Sequence, residues 1–131
     1  MFIDASALVA ITGEESDGLV LADRVRRSDR VYTSALALYE SSLGLARARN
    51  LATADAQIAI EQFVAASRAQ IVPITAEIGR LAIEAFVRFG RGNHPARLNM
   101  GDCFAYACAR SLGVPLLFKG DDFAQTDITP G

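Results

Sequence analysis

Five acidic residues, far apart in the chain, share one kind of local setting. Asp4 closes the apolar run Met1-Phe2-Ile3, and Glu40 falls about two turns into the helix after a second run, Val31-Tyr32-Thr33. Asp102 stands in the first turn of a helix that leads to the run Val114-Pro115-Leu116-Leu117-Phe118, and Asp121 and Asp122 follow that run directly. In open parallel sheets, sites form outside the carboxyl ends of the strands. These acids are therefore aimed at one edge, and a sheet would have to bring them together. Carboxylates a few ångströms apart cannot all stay ionised without a counter-charge, so one takes a proton or a cation binds. Hard oxygen donors favour Mg²⁺ or Mn²⁺ over zinc, and Mg²⁺ takes only one or two carboxylates while keeping several waters. The chemistry that follows is metal-assisted hydrolysis of a phosphodiester. Each acid also has an ordinary explanation. Asp4 with Ser6 two residues on reads as a helix cap, Asp102 as another, and Asp121-Asp122 as a solvated turn.

The elements that would position these acids follow from capping and periodicity. The first run leads into Ala5-Ser6-Ala7-Leu8-Val9-Ala10, and a charged helix from Glu14 to Arg27 follows Gly13. Ser34 is an N-cap for a helix to about Arg49, and Thr53 caps another over roughly 54–68. A third run, Ile71-Val72-Pro73-Ile74, precedes a helix begun by Thr75. In that helix Ile78, Leu81, Ala82, Ala85, Phe86 and Phe89 make one apolar stripe. Gly90-Arg91-Gly92-Asn93-His94-Pro95 ends it in a polar loop, and the last helix runs from about Gly101 to Leu112 with Gly113 beyond its end. Short apolar strands separated by helices predict a parallel sheet covered on both faces. The order β-α-α-β-α-α-β-α-α-β makes residues 1–131 one domain of the α/β class, a three-layer α/β/α sandwich.

Composition narrows the classes. For 14.0 kDa, size scaling gives a folded surface near ~7,000 Å², enough burial for a core without staples. Thirteen basic against fifteen acidic residues leave a net charge of −2, which excludes nucleic-acid binding by bulk positive charge. A 51% apolar content and a mean hydropathy of +0.23 exclude disorder and point to a buried partner surface. No window is apolar enough to span a membrane, the opening residues do not read as a leader, and the expected compartment is the cytoplasm. Cys103 and Cys108, five apart on one helix, do not face each other and read as two small buried side chains. Twelve of the thirteen basic residues are arginine, which grips phosphate in a bidentate way. Arg88, Arg91, His94 and Arg97 gather about the polar loop, and Lys119 precedes the last acidic pair. Arg91, His94, Arg97 and Lys119 are thus candidates for holding a phosphate backbone, with a plain solvated loop as the alternative.

Four blocks of residues together resemble the PIN-domain proteins, and closely the VapC toxins of bacterial VapBC toxin–antitoxin pairs. They are Phe2-Ile3-Asp4-Ala5-Ser6-Ala7-Leu8, Glu40 after Thr33-Ser34, Leu98-Asn99-Met100-Gly101-Asp102-Cys103-Phe104, and Pro115-Leu116-Leu117-Phe118-Lys119-Gly120-Asp121-Asp122-Phe123. The resemblance implies a Mg²⁺-dependent ribonuclease, usually a homodimer, held inactive by a cognate VapB-type antitoxin whose tail fills the acidic groove. Asp4 and Asp102 match the metal-binding aspartates, Glu40 the third acid, and Ser6 a hydroxyl that hydrogen-bonds within the site. Many relatives carry an acid where this chain has Gly120, so the fourth acid is Asp122 or Asp121. Two other α/β classes fit less well. A haloacid-dehalogenase-type phosphatase would need an Asp where Ser6 stands, and a receiver domain an Asp ending the third run. A catalytically inactive PIN module that only binds remains the non-enzymatic alternative.

Overall fold

The computed structural model describes residues 1–131. Four parallel strands, β1 (Phe2–Ile3), β2 (Tyr32–Ser34), β3 (Gln70–Val72) and β4 (Leu116–Leu117), pair in the order β3-β2-β1-β4. Six helices connect them: α1 (Ala5–Thr12), α2 (Gly18–Arg27), α3 (Ala35–Arg49), α4 (Thr53–Ala66), α5 (Ala76–Phe89) and α6 (Met100–Leu112). This is the expected α/β/α sandwich, and its accessible surface of 7286 Å² is close to the scaling value.

The two strands at the centre explain why the layers separate. Neighbouring residues of a strand point to opposite faces, and β1 and β4 pair in the register Phe2–Leu116 and Ile3–Leu117. Phe2 and Leu116 therefore enter the core with Ile78, Ala82, Ala85 and Phe89 of α5 and the small residues of α6. Ile3 and Leu117 enter the other core, with Ala7 and Leu8 of α1, Leu45 of α3 and Ile60 of α4. All four strand residues are fully buried. At roughly 1.5–3 kcal/mol each for burying a large apolar side chain, this four-residue centre fixes the strand register. Strand order then fixes geography. The residues after β1, after β2 and after β4 emerge side by side at one edge.

Thr53 does not cap α4: it is the first helical residue, Ala52 stands at the cap position, and no side chain caps the helix. Three further features depart from expectation, each for a local reason. α2 begins at Gly18 rather than Glu14, because Glu14 takes a left-handed backbone (φ 54°) just past Gly13. Gly18 also lies so close to α1 that a Cβ there would stand 2.5 Å from the Ala10 carbonyl oxygen. β3 is an edge strand with Gln70 and Ile71 exposed, so the sheet is not covered on both faces along its whole width. On α5 the expected stripe is narrower: Ile78, Ala82, Ala85 and Phe89 are buried, whereas Phe86 faces out with Ile83 and Val87. Cys103 and Cys108 are buried and free, as their spacing implies. No helix is long and apolar enough to cross a membrane.

Candidate active site

Asp4 leaves β1 at the sheet's carboxyl edge, where its amide donates to the Leu117 carbonyl (2.9 Å) across the β1–β4 pair. Its side chain caps α1: Oδ2 accepts from the Ser6 amide (2.9 Å) and from Ser6 Oγ (2.5 Å). Ser6 Oγ in turn accepts from the Lys119 amide (3.0 Å), just past β4. The cap explanation of Asp4 is therefore correct, and it coexists with a place in the pocket. One carboxylate oxygen is tied to the helix; the other is not needed by it. Asp4 is 4% exposed, and burial raises its carboxyl above the ordinary range against the opposing Ser6 bonds.

Asp102 is held by a capping box at the start of α6. Asn99 Oδ1 accepts from the Asp102 amide (2.9 Å), and Asp102 Oδ2 accepts from the Asn99 amide (3.0 Å). Glu40 reaches the same place from α3, which starts at the Ser34 cap as expected, with Ser34 Oγ accepting from Ala37 N (3.1 Å). One pocket of about 500 Å³ collects Asp4, Ser6, Glu40, Asp102 and Asp122 with Asn99, Glu15 and Lys119. Of the last acidic pair, Asp122 lines this pocket; Asp121 does not, and its backbone carbonyl accepts from the amide of Ala124, which lies within a single 3-10 turn, Phe123–Gln125.

The electrostatics of this pocket are those of an unbalanced cluster. Burial first, and then the charges of Asp4 and Asp102, push the Glu40 carboxyl up to about 7. Burial, Asp4 and Asp122 push Asp102 up to about 6, against its Asn99 bond and the charge of Arg91. Lys119 does not neutralise them. Its ammonium is engaged by Glu15 and by Asp17 (3.2 Å), two of the three acids of the turn before α2. The sequence treats Lys119 as an RNA contact. The structure shows it already paired, with its backbone amide rather than its side chain serving the Asp4–Ser6 chain.

The arginine loop is only partly free. Arg88 is drawn away to the C-terminal tail, bonding Asp127 (2.9 Å) and Tyr106 Oη (3.3 Å). Arg91, His94 and Arg97 line a separate open concavity with Gly92, Asn93 and Pro95. His94 is a loop brace: Nδ1 accepts from the Ala96 amide (3.0 Å) and the ring stacks edge-on against Phe89. Arg91 and Arg97 make no ion pair, and Arg91 acts electrostatically on Asp102. Sequence reasoning assigned no role to Asn99, which caps α6 and lines the pocket, nor to the Glu15–Asp17–Lys119 group. Asn99 three residues before Asp102 is a legible cap signal.

A divalent cation fits this donor set. No three acidic, histidine or cysteine side chains enclose a position by themselves. The pocket instead offers spaced carboxylate oxygens, mutually repelling and without a cationic partner. That suits an ion which takes one or two carboxylates and keeps its water.

Comparison with known proteins agrees with this geometry. The family model described as "PIN domain" matches residues 1–128. A VapC ribonuclease of Rhizobium meliloti (strain 1021), R02377, is 37% identical over 139 residues, covering 97% of this chain and 98% of the relative. Ribonuclease VapC42 of Mycobacterium tuberculosis (strain ATCC 25618 / H37Rv) is 37% identical over 131 residues, covering 99% and 98%. The crystal structure of Mycobacterium tuberculosis VapC20, described as a sarcin-ricin loop cleaving toxin, superposes with a TM-score of 0.78 over 99% of this chain and 97% of that one, at 19% identity. At that identity the superposition speaks for the fold alone. Full-length matches of this kind, on a chain whose sheet edge gathers Asp4, Glu40, Asp102 and Asp122, place it in the PIN-domain family, as a relative of the VapC ribonucleases.

Proposed function

We propose that this chain is the toxin of a toxin–antitoxin pair, a divalent-metal-dependent endoribonuclease that hydrolyses RNA phosphodiester bonds in the cytoplasm. The observation that carries the reading is the convergence of four carboxylates, two from strand ends and two from the helices α3 and α6, in a pocket where none has a cationic partner. A purely structural cluster would lower stability with no return, because each deprotonation there works against its neighbours.

In this reading Asp4, fixed by Ser6, and Asp102, fixed by Asn99, hold Mg²⁺, with Mn²⁺ as a substitute. The ion supplies Lewis-acid polarisation of a phosphoryl oxygen and a more acidic bound water. Glu40, whose carboxyl titrates near neutrality in the ion-free pocket, is placed to accept a proton from the attacking water. Asp122 completes the acidic wall from the β4 side. Arg91 and Arg97 align the RNA backbone beside it, which gives local attraction on a chain of net negative charge. Inhibition follows from the same electrostatics: a VapB-type antitoxin that inserts a cationic side chain supplies the missing counter-charge and fills the groove. The outward face of α5, with Ile83, Phe86 and Val87 exposed, supports a homodimer.

The test is cleavage of total bacterial RNA by the purified chain, freed of any partner, with Mg²⁺ or Mn²⁺, with EDTA, and with an Asp102→Asn control. Discrete fragments that require metal and vanish in the variant are expected. A folded protein that cuts no RNA with either ion would favour the binding-module alternative.

A further inference from the structure

Where α3 crosses the first turn of α6, the Glu40 carboxylate rests on the backbone of Gly101. A Cβ built at position 101 would lie 2.0 Å from Glu40 Oε2 and 2.3 Å from both Cδ and Oε1. No real Cβ approaches another heavy atom so closely, so the seat exists only because residue 101 has no side chain. Backbone conformation is not the reason for the glycine, since Gly101 lies inside α6 and takes no positive φ. Helix propensity argues against it as well, because alanine is the better residue inside a helix. The atoms in the way are the far end of one flexible side chain, so a methyl here would evict the carboxylate rather than spread the helices. Gly101 also directly precedes Asp102, so the seat sets the spacing between two of the site's acids.

We propose that Gly101 is a positioning residue for Glu40: its missing side chain is the socket that holds this carboxylate beside Asp102 and Asp4. The proposal rests on the nuclease reading for its catalytic consequence, but the socket itself is a property of the metal-free chain. The ordering of a reacting group within about an ångström is worth large factors in rate, so small eviction suffices to stop catalysis.

The experiment compares the parent chain with Gly101→Ala, Glu40→Gln, Glu40→Ala and the double variant Gly101→Ala/Glu40→Ala. In the metal-free state the Glu40 carboxyl ¹³C resonance is expected to move in Gly101→Ala while the amide spectrum outside the α3–α6 crossing stays in place. RNA cleavage is expected to fall at least 100-fold in Gly101→Ala, as far as in Glu40→Gln. In the Glu40→Ala background the alanine at 101 should raise the melting temperature, because the obstruction is gone and helix propensity is gained. An unmoved Glu40 resonance in folded Gly101→Ala would overturn the proposal. So would failure of the double variant to fold where Glu40→Ala folds, since that would tie Gly101 to some other contact. A parent chain that cuts no RNA would remove the nuclease reading, and the resonance and melting data would still decide the socket.

Discussion

The molecule holds two groups of acids with opposite character, one around the exposed Asp127 and one around the buried or half-buried Asp4, Glu40 and Asp102. Around Asp127, Tyr106 Oη donates at 2.5 Å and Arg88 at 2.9 Å, and these bonds hold the carboxyl below its ordinary range. Around Asp4, Glu40 and Asp102 every displacement is upward, and the nearest lysine is spent on Glu15 and Asp17. The first group ties the C-terminal tail to α5 and α6. The second makes the fold less stable whenever it is ionised. Asp127 has a guanidinium beside it, whereas Asp4 and Asp102 accept only from neutral donors, Ser6 and the Asn99 amide, and no cation pairs with them. Burial together with the missing cation sets the pocket acids apart from Asp127.

Substitutions in the two groups should differ in the size and sign of their effects. Asp102→Asn, on the nuclease reading, loses about 10³-fold or more of RNA cleavage, measured on a defined substrate. The same substitution leaves the melting temperature of the metal-free protein unchanged or higher, because a mutually repelling charge has been removed. Next in size is the effect of metal. Saturating Mn²⁺ at about 100 times its dissociation constant should stabilise the EDTA-stripped chain by about 2.7 kcal/mol in a thermal melt. Asp127→Asn should retain that gain, and Asp4→Asn should lose it.

The pH dependence distinguishes the two groups by sign. Carboxyls raised in the folded state bind more protons there than when unfolded, so stability falls as pH rises from the ordinary carboxyl range through about 7. Glu40 and Asp102 are only partly buried and so partly screened, and denaturant unfolding without metal should show a loss of about 1–2 kcal/mol between pH 5 and pH 8. The lowered Asp127 carboxyl works oppositely: its contribution is present above the ordinary aspartate range and disappears as pH falls through its folded value. Asp127→Asn should therefore cost about 1 kcal/mol or less at neutral pH, with cleavage unchanged. The smallest effect concerns the loop. Arg91→Ala with Arg97→Ala should weaken RNA binding about tenfold at low salt and flatten its salt dependence, leaving the melting temperature alone.

The apolar runs and caps made the layers legible, since Ser34, Thr75 and Gly113 end or begin helices where their chemistry says they should. Asp4, Glu40 and Asp102 were legible because parallel-sheet geometry sends strand ends to one edge. The choice between Asp121 and Asp122 was not, because two adjacent residues in a turn differ only in direction. Nor could spacing reveal that Lys119 turns toward Glu15 and Asp17, or that Arg88 turns toward Asp127, since both pairings join segments some 40 residues apart or more. The same holds for Gly101, whose meaning depends on a side chain arriving from another helix. Local chemistry was readable; pairwise geometry between distant segments required the fold.

Calorimetry of Mn²⁺ binding at pH 6.5, repeated in buffers of different protonation heat, tests the unbalanced-carboxylate claim most directly. Binding should release about one proton per ion, because Glu40 at about 7 and Asp102 at about 6 are partly protonated beforehand. The release should fade by pH 8.5 and be reduced in Asp102→Asn. Absence of binding, or binding with no proton released at pH 6.5, would contradict it.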